Sequence, residues 1–204
     1  MRRFVRYFGA LTLGFVAMRV LGLSSSASAQ TPKVEISGGY QALHALDETL
    51  PAGWYVEVAG NVNPWFGIVG EVGGAYKTKS ERISNNRPVD VTSTLHTFMG
   101  GVRLSARINQ RMVLVHPVLV GGAHASLSTD AVGVTRTKLA LQPGLGINLM
   151  VTDEIGGRVA ADYRRVFIDQ GEGGGENEFR STVGFVLPFG SRLSTSTQGN
   201  LHEL

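Results

Sequence analysis

The sequence predicts an all-β fold: an eight-stranded antiparallel up-and-down β-barrel that crosses a membrane. Three observations carry this reading. Eight segments of alternating apolar and polar residues run from about Lys33 to Phe189, and a period of two residues is that of a strand with unlike faces. The connections alternate in length. Asn63-Pro64, Asn109-Gln110-Arg111 and Thr152-Asp153-Glu154 are short, whereas those over about 45–52, 78–91, 129–135 and 170–177 are long, as expected for short periplasmic turns and longer outside loops. Finally, Tyr40, Trp54, Trp65, Phe66, Tyr76, Phe179 and Phe189 lie near segment ends, where membrane barrels carry aromatic girdles.

The first 29 residues read as a cleaved signal peptide. Arg2, Arg3 and Arg6 form a positive start, the stretch from Tyr7 to Met18 is apolar, and Ala27-Ser28-Ala29 is a small-x-small site with cleavage expected before Gln30. Arg19 interrupts the apolar stretch, which disfavours the alternative of an uncleaved anchor, because a spanning helix needs roughly 20 apolar residues. The expected organisation is a signal peptide over 1–29, a barrel over 30–189 and a short polar tail over 190–204.

Charge is reinterpreted once the signal is set aside. The chain carries 19 basic and 16 acidic residues; without Arg2, Arg3, Arg6 and Arg19 the balance is 15 against 16, a net charge of −1. The basic excess is therefore a targeting feature and no argument for nucleic-acid binding. There is no cysteine, so neither a disulfide nor a cysteine-linked lipid anchor is available.

Each segment supports the barrel in turn. The first sets Val34, Ile36, Gly38, Tyr40 and Ala42 against Glu35, Ser37, Gly39 and Gln41. In the second, Trp54, Val56, Val58 and Val62 oppose Tyr55, Glu57 and Asn61; in the third, Phe66, Ile68, Val72 and Tyr76 oppose Glu71 and Lys77. The fourth sets Phe98, Val102 and Leu104 against Thr97, Arg103 and Ser105. The fifth sets Val113, Val115, Leu119 and Ala123 against His116 and His124, and the sixth Leu139, Leu141, Leu145, Ile147 and Leu149 against Lys138, Gln142 and Asn148. The seventh opposes Ile155, Val159, Ala161 and Tyr163 to Arg158, Asp162 and Arg164, and the eighth Phe179, Val183, Phe185, Leu187 and Phe189 to Arg180 and Thr182. Alternation alone leaves open which face is outside, since a soluble periplasmic ligand-binding barrel has the same period with its apolar face inward.

Glycine pairs recur inside segments, at 38–39, 73–74, 100–101, 121–122 and 156–157. Glycine weakens a strand, but closing a small barrel demands sharp bending and room for crowded interior side chains. Pro117 and Pro143 each remove a backbone donor from an internal strand, so local bulges are expected there.

With these residues in view, the chain resembles the eight-stranded outer-membrane barrel superfamily, which includes the membrane domain of OmpA and related porin-family barrels. The resemblance covers about residues 33–189. Its sharpest piece is Thr182-x-Gly184-x-x-Leu187-x-Phe189, similar to the terminal signal by which the barrel-assembly machinery recognises its clients. The resemblance implies an outer-membrane location, surrounding outer-membrane lipid and transient contact with that machinery through Gly184, Leu187 and Phe189. The tail after Phe189 is too short for a folded peptidoglycan-binding domain.

An eight-stranded barrel is filled by side chains, and the polar faces supply opposite charges. A lumen ion network is expected from Glu35, Glu57, Glu71, Arg103, His116, Arg158, Asp162, Arg164 and Arg180, with Glu57 beside Glu71 and Arg103 beside His116. It would leave at most a narrow pore. Glu57 and Glu71 are also the pair an acid-base catalyst would use. His124-Ala125-Ser126 resembles the His-x-Ser of outer-membrane lipid A deacylases, but Lys138 occupies the neighbourhood of that family's glutamate, and His124 is expected on the polar face, away from lipid. His44, Asp47 and Glu48 lack diagnostic metal-site spacing. The glycine run 171–175 with its flanking glutamates lacks the strand-to-helix setting of a phosphate loop. Lys77, Lys79, Arg82 and Arg87 make the second outside loop basic. The reading is a non-enzymatic barrel without cofactor or metal, structural or engaged in surface interactions. The alternatives are a lipid A-modifying barrel enzyme and a soluble ligand-binding barrel; the sequence leaves the oligomeric state open.

Overall fold

The computed structural model describes residues 31–45, 49–83, 87–128, 133–167 and 176–190. The signal peptide, the tail beyond Gly190 and the acidic loop tip lie outside the described residues. Nine strands form one antiparallel sheet: β1 (Val34–Ala45), β2 (Thr49–Leu50), β3 (Ala52–Asn63), β4 (Phe66–Ile83), β5 (Arg87–Arg107), β6 (Met112–Ser128), β7 (Gly133–Met150), β8 (Gly156–Val166) and β9 (Glu176–Phe189). The eight long strands pair with their sequence neighbours, and β1 pairs with β9 from Val34↔Phe189 to Ala45↔Glu178. The sheet is therefore a closed barrel. Strand β2 is a short addition that returns beside the end of β1, pairing Leu43 with Leu50.

The faces are decided by burial. Val58, Ile68, Phe98, Leu139, Val159 and Val183 are exposed on the outside, while Glu57, Glu71, Arg103, Gln142, Asp162 and Arg180 are buried inside. An apolar exterior around a charged interior fits hydrocarbon and is the inverse of a soluble ligand-binding barrel. Among the described residues, the outward positions of β3, of β4 up to Thr78, of β5 from Thr92, and of β6 and β7 carry no carboxylate, lysine or arginine.

Three expectations need correction. The connection expected over 78–91 is mostly strand, because β4 continues to Ile83 and β5 begins at Arg87. A membrane requires only about 9–11 residues per tilted strand, whereas β4, β5, β6 and β7 have 18, 21, 17 and 18. These hairpins continue past the bilayer by ladder bonding, which needs no apolar face and so leaves no alternation to read. Second, β6 is inverted: Val115, Leu119 and Ala123 are buried, Val120 is exposed, and the register sets His124 opposite His96 on the outer side. The segments around Leu114 and Val120 are apolar at both parities, so the two histidines misdirected the assignment. Third, the prolines create no bulge. The β6–β7 register is the same on both sides of Pro117, with only the pairs at 116 and 117 missing, and Pro143 interrupts the β7–β8 ladder in the same way.

The closing seam explains two glycines. Gly39 lies opposite Gly184; a Cβ on Gly184 would overlap the carbonyl oxygen of Gly38, and one on Gly39 would overlap that of Val183. The backbones of β1 and β9 approach too closely there for any side chain.

Candidate functional site

The interior is built in layers that start at the short-turn end. Arg103 on β5 donates from Nη2 to Asn61 Oδ1 at 2.8 Å and pairs with Glu35 at 2.9 Å. Asn61 and Asn148 also donate to Glu35, at 2.9 and 3.4 Å. One step further in, Glu57 and Glu71 are direct cross-strand partners. Side chains in that relation have Cβ atoms only about 4.5–5.5 Å apart, so two buried carboxylates need separate counterions.

Those counterions come from the other wall. Arg158 on β8 grips both oxygens of Glu57 at 2.6 and 2.9 Å and also donates to Ser37 Oγ at 3.2 Å. Arg180 on β9 grips both oxygens of Glu71 at 2.7 Å each, donates to Gln41 Oε1 at 3.1 Å, and reaches Asp162 through Nε and Nη2 at 2.8 and 2.7 Å. Its guanidinium lies 5.9 Å from the Tyr55 ring centroid. Both are bidentate forks, the strongest geometry for such pairs. Above them, Arg164 donates to Gln142 Oε1 at 2.7 Å and to Glu178 Oε2 at 3.3 Å, and Gln142 donates to Glu71 Oε1 at 3.3 Å. The chain of contacts thus joins β1, β3, β4, β5, β7, β8 and β9.

An apolar layer accompanies this network. Leu43, Leu50, Ala75, Leu95, Met99, Leu119, Ala123, Ala140 and Val166 form one buried cluster. The inward face of β6 supplies two of its members, which is why that strand gives no charge to the lumen.

Eight of the nine residues expected in the network lie in it: Glu35, Glu57, Glu71, Arg103, Arg158, Asp162, Arg164 and Arg180. His116 does not. Register pairs it with outward Leu104, while its neighbour Pro117 pairs with inward Arg103. The His116 ring instead bonds through Nδ1 to the carbonyl oxygen of Gly144, the acceptor that an amide at Pro117 would otherwise serve. A proline-induced ladder gap is thereby closed by the preceding side chain. His116→Ala is expected to lower stability by about 1–3 kcal/mol, the cost of an unsatisfied buried acceptor, measurable as a lower urea midpoint for the barrel in lipid vesicles.

Glu178, Gln41 and Gln142 complete the network but were not singled out in the sequence. Glu178 was legible by parity, two residues before Arg180, but it sits at the edge of a glycine-rich acidic tract that reads as loop. His124 bonds Thr137 Oγ1 at 2.7 Å on the outer face, so its expected inward placement is overturned. Gly184 lies at the seam, and Leu187 and Phe189 end β9, with Phe189 exposed.

The family of the outer membrane protein beta-barrel domain matches residues 13–189. Among solved structures, the fold is similar to Ail, the attachment invasion locus protein of Yersinia pestis, in complex with the heparin analogue sucrose octasulfate. That match has 17% identity and a TM-score of 0.51, covering 76% of this chain and 96% of that one. Neisserial surface protein A is similar at 9% identity and a TM-score of 0.58, again covering 76% and 96%. At these identities the likeness concerns the fold alone. No curated protein matches the sequence.

Proposed function

Because the chain belongs to the outer membrane protein β-barrel domain family and resides in the outer membrane, we propose that it is a plugged, non-enzymatic barrel with a structural or surface-interaction role. The observation that carries this reading is the pair of crosspieces Arg158–Glu57 and Arg180–Glu71, which span the lumen from opposite walls. Water and ions passing through must displace these groups or the apolar cluster beside them, and a buried pair is broken only at a cost of several kcal/mol, on the order of 3–5. The same forks occupy both oxygens of Glu57 and Glu71, leaving neither as a free general base. Outside, the long β4–β5 and β6–β7 strand pairs exceed the length a bilayer needs, and strand ends beyond the membrane are suited to contact with other molecules. Gly184, Leu187 and Phe189 would present the assembly signal to the barrel-assembly machinery.

Planar-bilayer recording tests the plug. The protein is expected to show no large, stable conductance, whereas Glu57→Ala combined with Arg158→Ala removes one crosspiece without stranding a charge and is expected to raise conductance severalfold. Large conductance in the unaltered protein overturns the reading. The deacylase alternative is checked by the lipid A mass in cells overproducing the protein, where no shift is expected: among the described residues no carboxylate contacts His124.

A further inference from the structure

The membrane-facing side of β3 to β7 contains a depression that the barrel itself does not require. Gly70 and Gly100 are direct cross-strand partners on the outer face, and Gly122 lies one strand over, opposite Phe98. A Cβ at Gly70 would meet nothing within 4 Å, and at Gly100 or Gly122 the nearest atom would be 3.9 Å away. Unlike the seam glycines, these three are not imposed by close backbones. Gly70 lines an apolar groove with Val56, Val58, Val72 and Phe98, over the inward-facing Glu71 and Met99, and Gly100 lies beside it across the ladder. Phe98 is also a wall of a second depression lined by Gly122, His96, His124 and Thr137, so the two adjoin at that ring.

The second depression is apolar in most of its lining but carries the side chains able to hydrogen-bond, His96, His124 and Thr137, and it lies toward the long connections. Register lines up Trp54, Gly74, His96, His124 and Thr137 across five adjacent strands. The Trp54 indole donates to the Tyr76 hydroxyl at 3.1 Å, which leaves the tyrosine proton for an outside acceptor. The Tyr76 ring meets His96 edge-on, with centroids 5.7 Å apart. His124 uses Nδ1 on Thr137, which orients its ring with Nε2 as the remaining polar atom. Hydrogen-bonding groups gathered beside hydrocarbon call for partners, and phenol and imidazole groups with donors to offer match an acceptor-rich headgroup.

We infer that this surface is a lipid-binding site. An acyl chain lies in the glycine-floored groove, and a phosphorylated glycolipid headgroup of the outer leaflet, of the lipid A class, meets Tyr76, His96 and His124. Outer-leaflet lipid is the occupant because the hydrogen-bonding end lies on the side of the long outside connections, and because the site combines an apolar channel with donors and no outward carboxylate, the Glu71 side chain beneath it being held in the lumen by Arg180. The inference does not depend on whether the lumen is plugged.

Trp54 reports on the site directly. It and Trp65 are the two tryptophans of the chain, and Trp65 lies at the opposite end, in the β3–β4 turn. The full-length barrel carrying Trp65→Phe is folded in detergent and titrated with hexa-acylated lipid A or with phosphatidylcholine. Saturable change in Trp54 emission is expected for lipid A at about tenfold lower concentration than for phosphatidylcholine, a difference that one or two charge-assisted hydrogen bonds supply. His96→Phe with His124→Phe removes the two imidazole donors and leaves Tyr76, and Gly100→Leu separately fills the groove; each is expected to weaken the lipid A response about tenfold. Both changes face lipid, and an intact heat-dependent gel shift verifies closure of each variant. Equal responses to the two lipids, or a lipid A response unchanged in either folded variant, overturns the assignment and leaves ordinary annular lipid.

Discussion

Arg180→Met is expected to lower the stability of the barrel by about 3–5 kcal/mol, the cost of removing one partner from a buried ion pair. The effect is large because one guanidinium serves two acids. Its loss leaves Glu71 and Asp162 facing each other without their fork, with Gln41 also short of a donor. Urea titration of the protein folded in lipid vesicles, read by the heat-dependent gel shift, gives the change directly. Adding Glu71→Gln to Arg180→Met should recover part of the loss, because a neutral amide does not strand a charge. If Arg180→Met unfolds at the same urea concentration as the unaltered protein, the network contributes nothing to stability.

Gly184→Val is the second large effect, and it acts through the seam. The new side chain would occupy the position of the Gly38 carbonyl on β1, so β1 and β9 cannot keep the register that closes the barrel. A cost of at least about 3 kcal/mol is expected, the upper end for forcing atoms into a packed site, with loss of the heat-shifted species. Gly184 also stands in the terminal sequence similar to the assembly signal, so the experiment is run without cellular machinery. Failure of the purified variant to close in detergent identifies backbone crowding; normal closure there, with failure only in cells, assigns the residue to recognition.

Alternation made the barrel legible because a membrane strand must present unlike faces to lipid and lumen, and seven of the eight long strands state this plainly. In β9, Phe179, Val183 and Phe185 point out while Arg180 and Thr182 point in. The exception is β6, where Val113, Leu114 and Val115 are apolar at both parities and the face depends on closure. The two histidines obscure the face of β6 because a polar ring is costly only when unpaired: His124 bonds Thr137 on the outer face, and His116 is buried with its ring on the Gly144 carbonyl.

Local order along the chain sets the strand pattern, the polarity of most faces and which charged residues share the lumen. Tertiary structure alone decided the pairing within that lumen. Arg158 meets Glu57 and Arg180 meets Glu71 across 101 and 109 residues, and only the closed register brings those walls within reach of a fork. It also decided that Gly39 and Gly184 must lack side chains and that His116 serves a proline's lost hydrogen bond. The physical reason is the same in each case: alternation is a property of one strand, whereas distance across a barrel exists only after the last strand has met the first.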